Sequence, residues 1–254
     1  METNPQAASA TAGGDLAPDK KAAIYTDEYF DECYKEHWFA YNKRTLEERD
    51  AQFFRLLELK PTDILLEAGC STGRSTRVLA PKVKQVYGID FAEYAVELAN
   101  KKAQDAGLSN VEVRHDDISK MATIADASID KIAAFDITEH VYDDVMKGFF
   151  QQAERVLKPG GYCCIYTPNL NHYIERMKSK NFIIRQFESH IAVRNWKQYK
   201  RLLDDSGAKL RVDLIYHTSS SYPLVRWFEK VLRFIPWFGK LFEFRICARL
   251  VKDA

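Results

Sequence analysis

From residue 63 onward, two rhythms of hydrophobic and polar positions take turns along the chain. Short runs rich in Ile, Leu, Val and Tyr ("DILLEA", "QVYGID", "VEVRHDD", "IDKIAAFD" and "YCCIYTP") predict β-strands, because their length and β-branched content fit a buried strand. Between them, "RSTRVLAP", "AEYAVELANKKAQDAG" and "DDVMKGFFQQAERVL" place apolar residues at three- and four-residue intervals, which predicts amphipathic helices. Strands alternating with helices imply a parallel sheet covered on both faces. Beyond an irregular stretch near 168–190, "NWKQYKRLLDDSG" predicts another helix, and "KLRVDLIYH" and "FRICARLVK" bring the strands to seven. Upstream, apolar positions between Tyr25 and Leu59 recur at helical spacing and predict two helices, the second stopped by Pro61. Residues 1–20 have too little apolar surface to offset the entropy of ordering them and are expected to be a disordered tail. The remainder, 21–254, reads as one domain.

Composition narrows the partners. The 254 residues hold 37 basic and 36 acidic side chains, which leaves no electrostatic footprint for nucleic acid. The five cysteines, at 33, 70, 163, 164 and 247, form neither a C-x-x-C pair nor a metal-ligand spacing and point to a reduced setting without disulfides. No basic flank followed by an apolar run opens the chain, so a cytoplasmic location is the expectation. Nothing in the pattern bears on oligomeric state.

The chemistry turns on "LLEAGCSTGRST", residues 65–76. Gly69-Cys70-Ser71-Thr72-Gly73 fits the G-x-S-x-G elbow of hydrolases, but that elbow needs strands and an oxyanion loop ahead of the serine, and the residues before Ser71 are mostly helical. A dinucleotide fingerprint wants glycine at its first, third and sixth positions. Gly69, Ser71 and Arg74 stand there, a poor seat for pyrophosphate. A third reading asks for an acid at the end of the first strand and a bare backbone loop that approaches a ligand without phosphates; Glu67, Gly69 and Gly73 supply it. Asp90 ends the second strand, 21 positions after Gly69, where a carboxylate accepts hydrogen bonds from both hydroxyls of a ribose.

Taken in order, "LLEAGCSTGRST", "VYGIDFAEYAVELA", "RHDDI", "FDITEHV" and "LKPGGYCCIYTPN" resemble the class I S-adenosylmethionine-dependent methyltransferases, from about Asp63 to Pro168. Within them, "EHV", "TPN" and "ESHIAVRNWKQYKRLLDDSGAKL" are similar to the ubiquinone-biosynthesis type O-methyltransferases and related enzymes acting on glycans and natural products. The resemblance implies a Rossmann-like α/β fold: a seven-stranded sheet with its last strand antiparallel, helices on both faces, and a helical lid from residues 21–60 and 168–240. It implies S-adenosylmethionine as cofactor, with Glu67 by the methionine portion, Gly69, Ser71 and Gly73 forming the loop, and Asp90 on the ribose. Phe91 would lie on the adenine face, Asp117 and Ile118 at the adenine amine and ring, and Phe135 at the border of the donor, with Asp116 the alternative to Asp117. Ser71 departs from the glycine common at its position.

Methyl transfer from an activated sulfonium asks mainly for orientation and exclusion of water. An acceptor hydroxyl must also lose a proton, for which histidine is the natural base; His140 in "DITEHV" and His190 in "ESHIAV" are the candidates, with Glu139 beside them. Asp136, Glu139 and His140 have spacings that share one side of a helical turn. The resemblance links such a cluster with a divalent metal, magnesium, manganese or zinc by donor type; alternatively Glu139 and His140 only orient the loop. His37, His115, His172 and His217 have no motif around them.

The expected acceptor is a small molecule, sugar or lipid-linked compound methylated on oxygen, with nitrogen and carbon as alternatives. A nicotinamide-dependent oxidoreductase would share Asp90, and a non-catalytic nucleotide binder would share the fold, so both readings stay open. In "SYPLVRWFEKVLRFIPWFGKLFEFR", Leu224, Trp227, Phe228, Val231 and Ile235 form an apolar stripe beside Arg226, Lys230 and Arg233. Residues 222–245 therefore either pack on the domain as a roof over the acceptor or make peripheral contact with a lipid headgroup layer. Charges at 226, 229, 230 and 233 exclude a spanning helix there.

Overall fold

The computed structural model describes residues 43–186, 189–220 and 223–254. The expected tail over 1–20 and the first of the two upstream helices lie outside them. The second is α1, Lys43–Leu57. It leads into β1 (Ile64–Ala68), α2 (Arg74–Leu79), β2 (Gln85–Asp90), α3 (Glu93–Asp105), β3 (Val111–His115) and β4 (Ile129–Phe135). Then follow α4 (Asp143–Val156), β5 (Leu157–Pro168), α5 (Tyr173–Ser179), α6 (Trp196–Ser206), β6 (Leu210–Thr218), α7 (Pro223–Leu232) and β7 (Arg245–Lys252).

The strands form one seven-stranded sheet in the order β3-β2-β1-β4-β5-β7-β6. β1 to β5 pair in parallel, and β7 runs antiparallel to both β5 and β6, as expected for the last strand. Successive residues of the central strands serve opposite layers, as the period of two requires. Leu66, Ile132, Ala134, Cys163, Ile165, Ile246 and Ala248 face a core completed by Met146, Phe149 and Phe150 of α4 and Tyr199, Leu202 and Leu203 of α6. Leu65, Ala133, Phe135, Cys164, Tyr166 and Cys247 face the other, completed by Phe53, Leu56 and Leu57 of α1. Burial on both faces explains why these strands read as continuous apolar runs in the sequence.

Two sequence expectations need correction. Residues 196–218 were assigned to the lid, yet α6 and β6 belong to the framework: β6 pairs with β7 along its length, and α6 packs its apolar side into the core. Capping accounts for the sharp start and stop of α6, since Asn195 and Gln198 exchange side-chain and backbone hydrogen bonds at one end and Gly207, at φ 73°, closes the other. The stretch near 168–190, expected to be irregular, contains α5. Cys70, Cys163, Cys164 and Cys247 are buried free thiols. No helix among the described residues is long and apolar enough to cross a membrane.

Candidate active site at the carboxyl edge of the sheet

In an open α/β sheet, ligands bind beyond the carboxyl ends of the strands where the order reverses. Here that point is β1, flanked by β2 and β4. The chain leaving β1 turns at once, because the N–H groups of Gly69 and Cys70 both donate to the Ile89 carbonyl, at 2.8 and 3.1 Å. Gly69 has φ +70°, and a Cβ there would stand 2.4 Å from Cγ1 of Ile137, so only glycine fits. Ser71 adopts the same left-handed region at φ 49°, and its N–H donates to Oδ2 of Asp90 at 2.8 Å. The departure from glycine thus leaves the loop geometry intact. The other Asp90 oxygen accepts from the Ala92 N–H at 3.0 Å, so the carboxylate is fixed by backbone at the tip of β2. Burial raises its pKa, against the lowering effect of those N–H groups.

Glu67 is buried at the end of β1 and accepts a hydrogen bond from the Thr76 hydroxyl. Burial pushes its carboxyl up to about 7, opposed by Thr76, Ser75 and the charge of Arg49. Glu67, Gly69, Ser71 and Asp90 therefore gather around the turn after β1 as one shelf, and Gly73, at φ 71°, lets the start of α2 pack closely on Ala99 of α3. Beside it Phe91 is 40% exposed, and His115 Nε2 lies 2.8 Å from the Phe91 carbonyl. The Asp117 side chain is also 40% exposed, whereas Asp116 accepts from the N–H groups of Asp117, Ala122 and Thr123 and from the Thr123 hydroxyl. Asp116 fastens its own turn, and of the two it is Asp117 that stays accessible. Ile118 packs into the core under α4, and Phe135 stacks on Phe53 with ring centroids 4.0 Å apart. These last two side chains are more deeply packed than the rest of the set.

The end of β4 is organised differently. Asp136, at φ 51°, is clasped by Arg49 from α1 and Arg245 from β7. Burial alone would raise its pKa, but Arg245 and Arg49 overcome that and hold it low. Asp136 is thus engaged by two arginines and is not among the residues whose donor atoms converge, contrary to the expected metal cluster, although its charge still bears on Glu139 and His190. The group that does assemble is Glu139, His140 and His190, with one donor atom from each within 4.8 Å of the others. Glu139 accepts from the Thr167 hydroxyl at 3.0 Å, and burial together with Asp136 pushes its carboxyl up to about 8. The His140 and His190 rings meet edge to face at 4.9 Å. Burial, then the neighbouring His140, pushes His190 down to about 3.

One residue without a sequence signal holds this region. The buried Arg194 donates to the carbonyls of Thr138 and Val141, both at 2.7 Å, and to Oδ1 of Asp143. It staples the segment that carries His190 to the turn that carries His140. Arg49 and Arg245 were likewise invisible, since their partner lies a hundred residues or nearly so away.

Fold and site together have the architecture of a class I methyltransferase. A family model described as a methyltransferase domain matches residues 59–207, and the chain belongs to that family. It is 33% identical over 105 residues to a probable S-adenosylmethionine-dependent methyltransferase of Mycolicibacterium smegmatis, covering 41% of this chain and 38% of that protein. Over 107 residues it is 31% identical to a ubiquinone biosynthesis O-methyltransferase of Leptothrix cholodnii, covering 42% and 45%. The matched stretch spans less than half the length of these relatives. Among solved structures, the geranyl diphosphate C-methyltransferase of Streptomyces coelicolor, in complex with Mg2+, geranyl diphosphate and S-adenosylhomocysteine, shares the fold with a TM-score of 0.62. Its identity is 16%, over 86% of this chain and 85% of that one.

Proposed function

We propose that this protein transfers the methyl group of S-adenosylmethionine to oxygen on a small-molecule, sugar or lipid-linked acceptor. The observation that carries the reading is the shelf itself: a backbone loop closed by Gly69, with a buried carboxylate on either side, Glu67 from β1 and Asp90 from β2. Such a loop accepts a nucleoside without phosphates, and Asp90 is placed for its ribose. Phe91 and Asp117 flank the adenine, and Ile118 and Phe135 back the pocket from the core.

The acceptor then enters over β4. Its oxygen attacks the methyl carbon in line with sulfur, the carbon–sulfur bond breaks to leave neutral S-adenosylhomocysteine, and the hydroxyl proton goes to a base. His140 is oriented for that role. Its Nδ1 is 2.8 Å from the Ser189 carbonyl, which can only accept, so Nδ1 carries the proton and Nε2 is the basic nitrogen. His190 stays neutral beside it and adds no competing positive charge.

Glu139, His140 and His190 also form a donor set that suits a divalent metal, which when bound would supply Lewis-acid activation of the acceptor oxygen. That role and the base role compete for the same imidazole. A chelator separates them, because turnover that survives dialysis against EDTA assigns His140 as base.

The function is tested by isothermal titration with S-adenosylhomocysteine and with NADH. Binding of the first alone is expected; binding of NADH alone would overturn the reading in favour of an oxidoreductase. His140→Ala should keep donor affinity and lower turnover by about 100- to 10,000-fold. Release of S-adenosylhomocysteine on addition of a cell extract distinguishes an enzyme from a binder without turnover.

A further inference from the structure

Beside the methyl-transfer site lies a cavity of about 360 Å³ between α1, the ends of β5 and β6, and α7. Its charge is one-sided. Arg49, Arg55, Arg226, Lys230 and Arg233 line it against one carboxylate, Glu48. Burial and Arg233 push His217 in its wall down to about 4, so the imidazole is neutral at pH 7. Arg49 links the cavity to the chemistry, because its guanidinium reaches Asp136 at the tip of β4 while its buried Nε–H has no hydrogen-bond partner among the described residues. A buried donor left unmatched in a cationic wall calls for an anionic acceptor group.

The helix that closes the cavity presents a second chemistry outward. Cations at 226, 230 and 233 line the cavity, whereas Trp227, Phe228 and Val231 on the same helix are each more than half exposed. The apolar surface continues through Phe234, Ile235, Trp237 and Phe238, with Trp237 98% exposed at φ 76°. The side chain of Leu224 lies outside the described residues. A large aromatic left almost wholly exposed by the described residues marks a surface that meets something else. Of the two acids in the segment, Glu229 is buried against His172 Nε2 at 3.0 Å and accepts from the Ser220 N–H at 2.5 Å, and Glu243 lies 3.6 Å from His217 Nε2. Glu229 anchors the helix; of the basic residues here Lys230 and Lys240 are exposed, while Arg226 pairs with Glu48 and Arg233 donates to the His217 carbonyl. The sequence alternative of a packed apolar roof is thereby reversed: the charged side faces the domain and the apolar side faces out.

We propose that α7 and the turn after it seat the protein on an anionic lipid leaflet, and that the cavity receives the phosphate-bearing headgroup of a lipid acceptor. Aromatic side chains interleaved with Lys and Arg suit the headgroup layer, and the basic side chains add attraction to anionic lipid. The acceptor would then slide from the leaflet past α7 with its phosphate on Arg55, Lys230 and Arg233. This deepens the methyl-transfer reading and rests on it.

The test uses the full chain, with titration of S-adenosylhomocysteine on the same preparation so that loss of the donor site is scored separately. Co-sedimentation with vesicles of mixed phosphatidylcholine and phosphatidic acid should be about 100-fold stronger than with phosphatidylcholine alone. The exposed-site variant Trp227→Ser/Trp237→Ser should lose about tenfold or more of that binding. Dihexanoyl phosphatidic acid, kept monomeric in solution, should bind the wild type and the Trp227→Ser/Trp237→Ser variant, and fail to bind Arg55→Glu/Lys230→Glu. Equal binding to both vesicle types, or none, would overturn the proposal. So would inorganic phosphate binding as tightly as the short-chain lipid, or self-association that the tryptophan variant abolishes without any vesicle binding.

Discussion

The two halves of the site are built by different means. On the donor side, the shelf is made of backbone: Gly69 and Cys70 hang from the Ile89 carbonyl, and Ser71 and Ala92 hang from Asp90, all within about two dozen residues of chain. On the acceptor side, the parts come from afar. Arg245 reaches Asp136 across 109 residues, His140 meets the Ser189 carbonyl across 49, and Arg226 meets Glu48 across 178. A shelf shaped by backbone tolerates changes of side chain but not of chain geometry, whereas a side-chain network fails piece by piece. The same contrast suits a constant donor and a variable acceptor, since long-range side-chain contacts can be replaced without refolding the sheet.

The strongest way to break this comparison is to strike where the halves touch. Gly69→Ala places a methyl against Ile137, which belongs to the acceptor loop, at a φ that alanine disfavours. The left-handed backbone costs about 1–2 kcal/mol and the crowding about 1–3 kcal/mol, so a loss of roughly 2–5 kcal/mol is expected in urea unfolding. Affinity for S-adenosylhomocysteine should fall in parallel. Unchanged stability would mean that the shelf is more pliable than its hydrogen bonds indicate.

Arg194→Ala addresses the acceptor half alone. It leaves the buried Thr138 carbonyl and its neighbours without their donor, at a cost of about 2–3 kcal/mol. Because the staple holds His140 in place and touches nothing on the shelf, turnover should drop about tenfold or more while donor affinity stays at the wild-type value. Equal loss of both would erase the division between halves.

Glu67→Gln sharpens the donor side through pH. Folding keeps the proton on Glu67 up to about 7, whereas the unfolded chain releases it near 4.5, so the unfolded state gains on the folded one as pH rises between those values. The wild type is thereby destabilised above pH 7 by up to about 3 kcal/mol, and the Gln variant, which cannot ionise, should be more stable there by a similar amount. Below about pH 4.5 the difference should vanish. Donor affinity should move the other way, because the sulfonium and amino group lose a carboxylate partner. Melting curves at several pH values, with and without S-adenosylhomocysteine, read both.

How much of this was written in the sequence follows the same division. The strands from β1 to β5, and the places of Glu67 and Asp90 at strand ends and of Gly69 and Gly73 in the turn, were legible because strand ends and glycine turns are local features, set by neighbours in the chain. Ser71 looked anomalous and is not, since Asp90 accepts its N–H in a left-handed geometry that no sequence pattern announces. The spacing of Asp136, Glu139 and His140 presumes one helical turn, whereas Asp136 occupies a left-handed bend just past β4 and the 3-10 turn starts at Thr138; its partners, Arg49 and Arg245, come from the first and last described elements. His190 joined the cluster through packing, not spacing. The outward apolar face of α7 was visible as a stripe, but its direction depends on Glu229 turning inward to His172, a pair separated by 57 residues.

Ser71→Gly makes the smallest and most discriminating change. Serine at φ 49° bears a steric cost of about 1–2 kcal/mol, and glycine would relieve it while adding about 0.5–1 kcal/mol of unfolded-chain entropy. A net gain of about 0.5–1 kcal/mol in unfolding free energy is therefore expected. The N–H that reaches Asp90 is kept, so if recognition lies in the backbone, affinity for S-adenosylhomocysteine should not change at all. A clear loss of affinity together with the expected gain in stability would show that the Ser71 hydroxyl itself contacts the donor, and the shelf would then be partly a side-chain site like the half it faces.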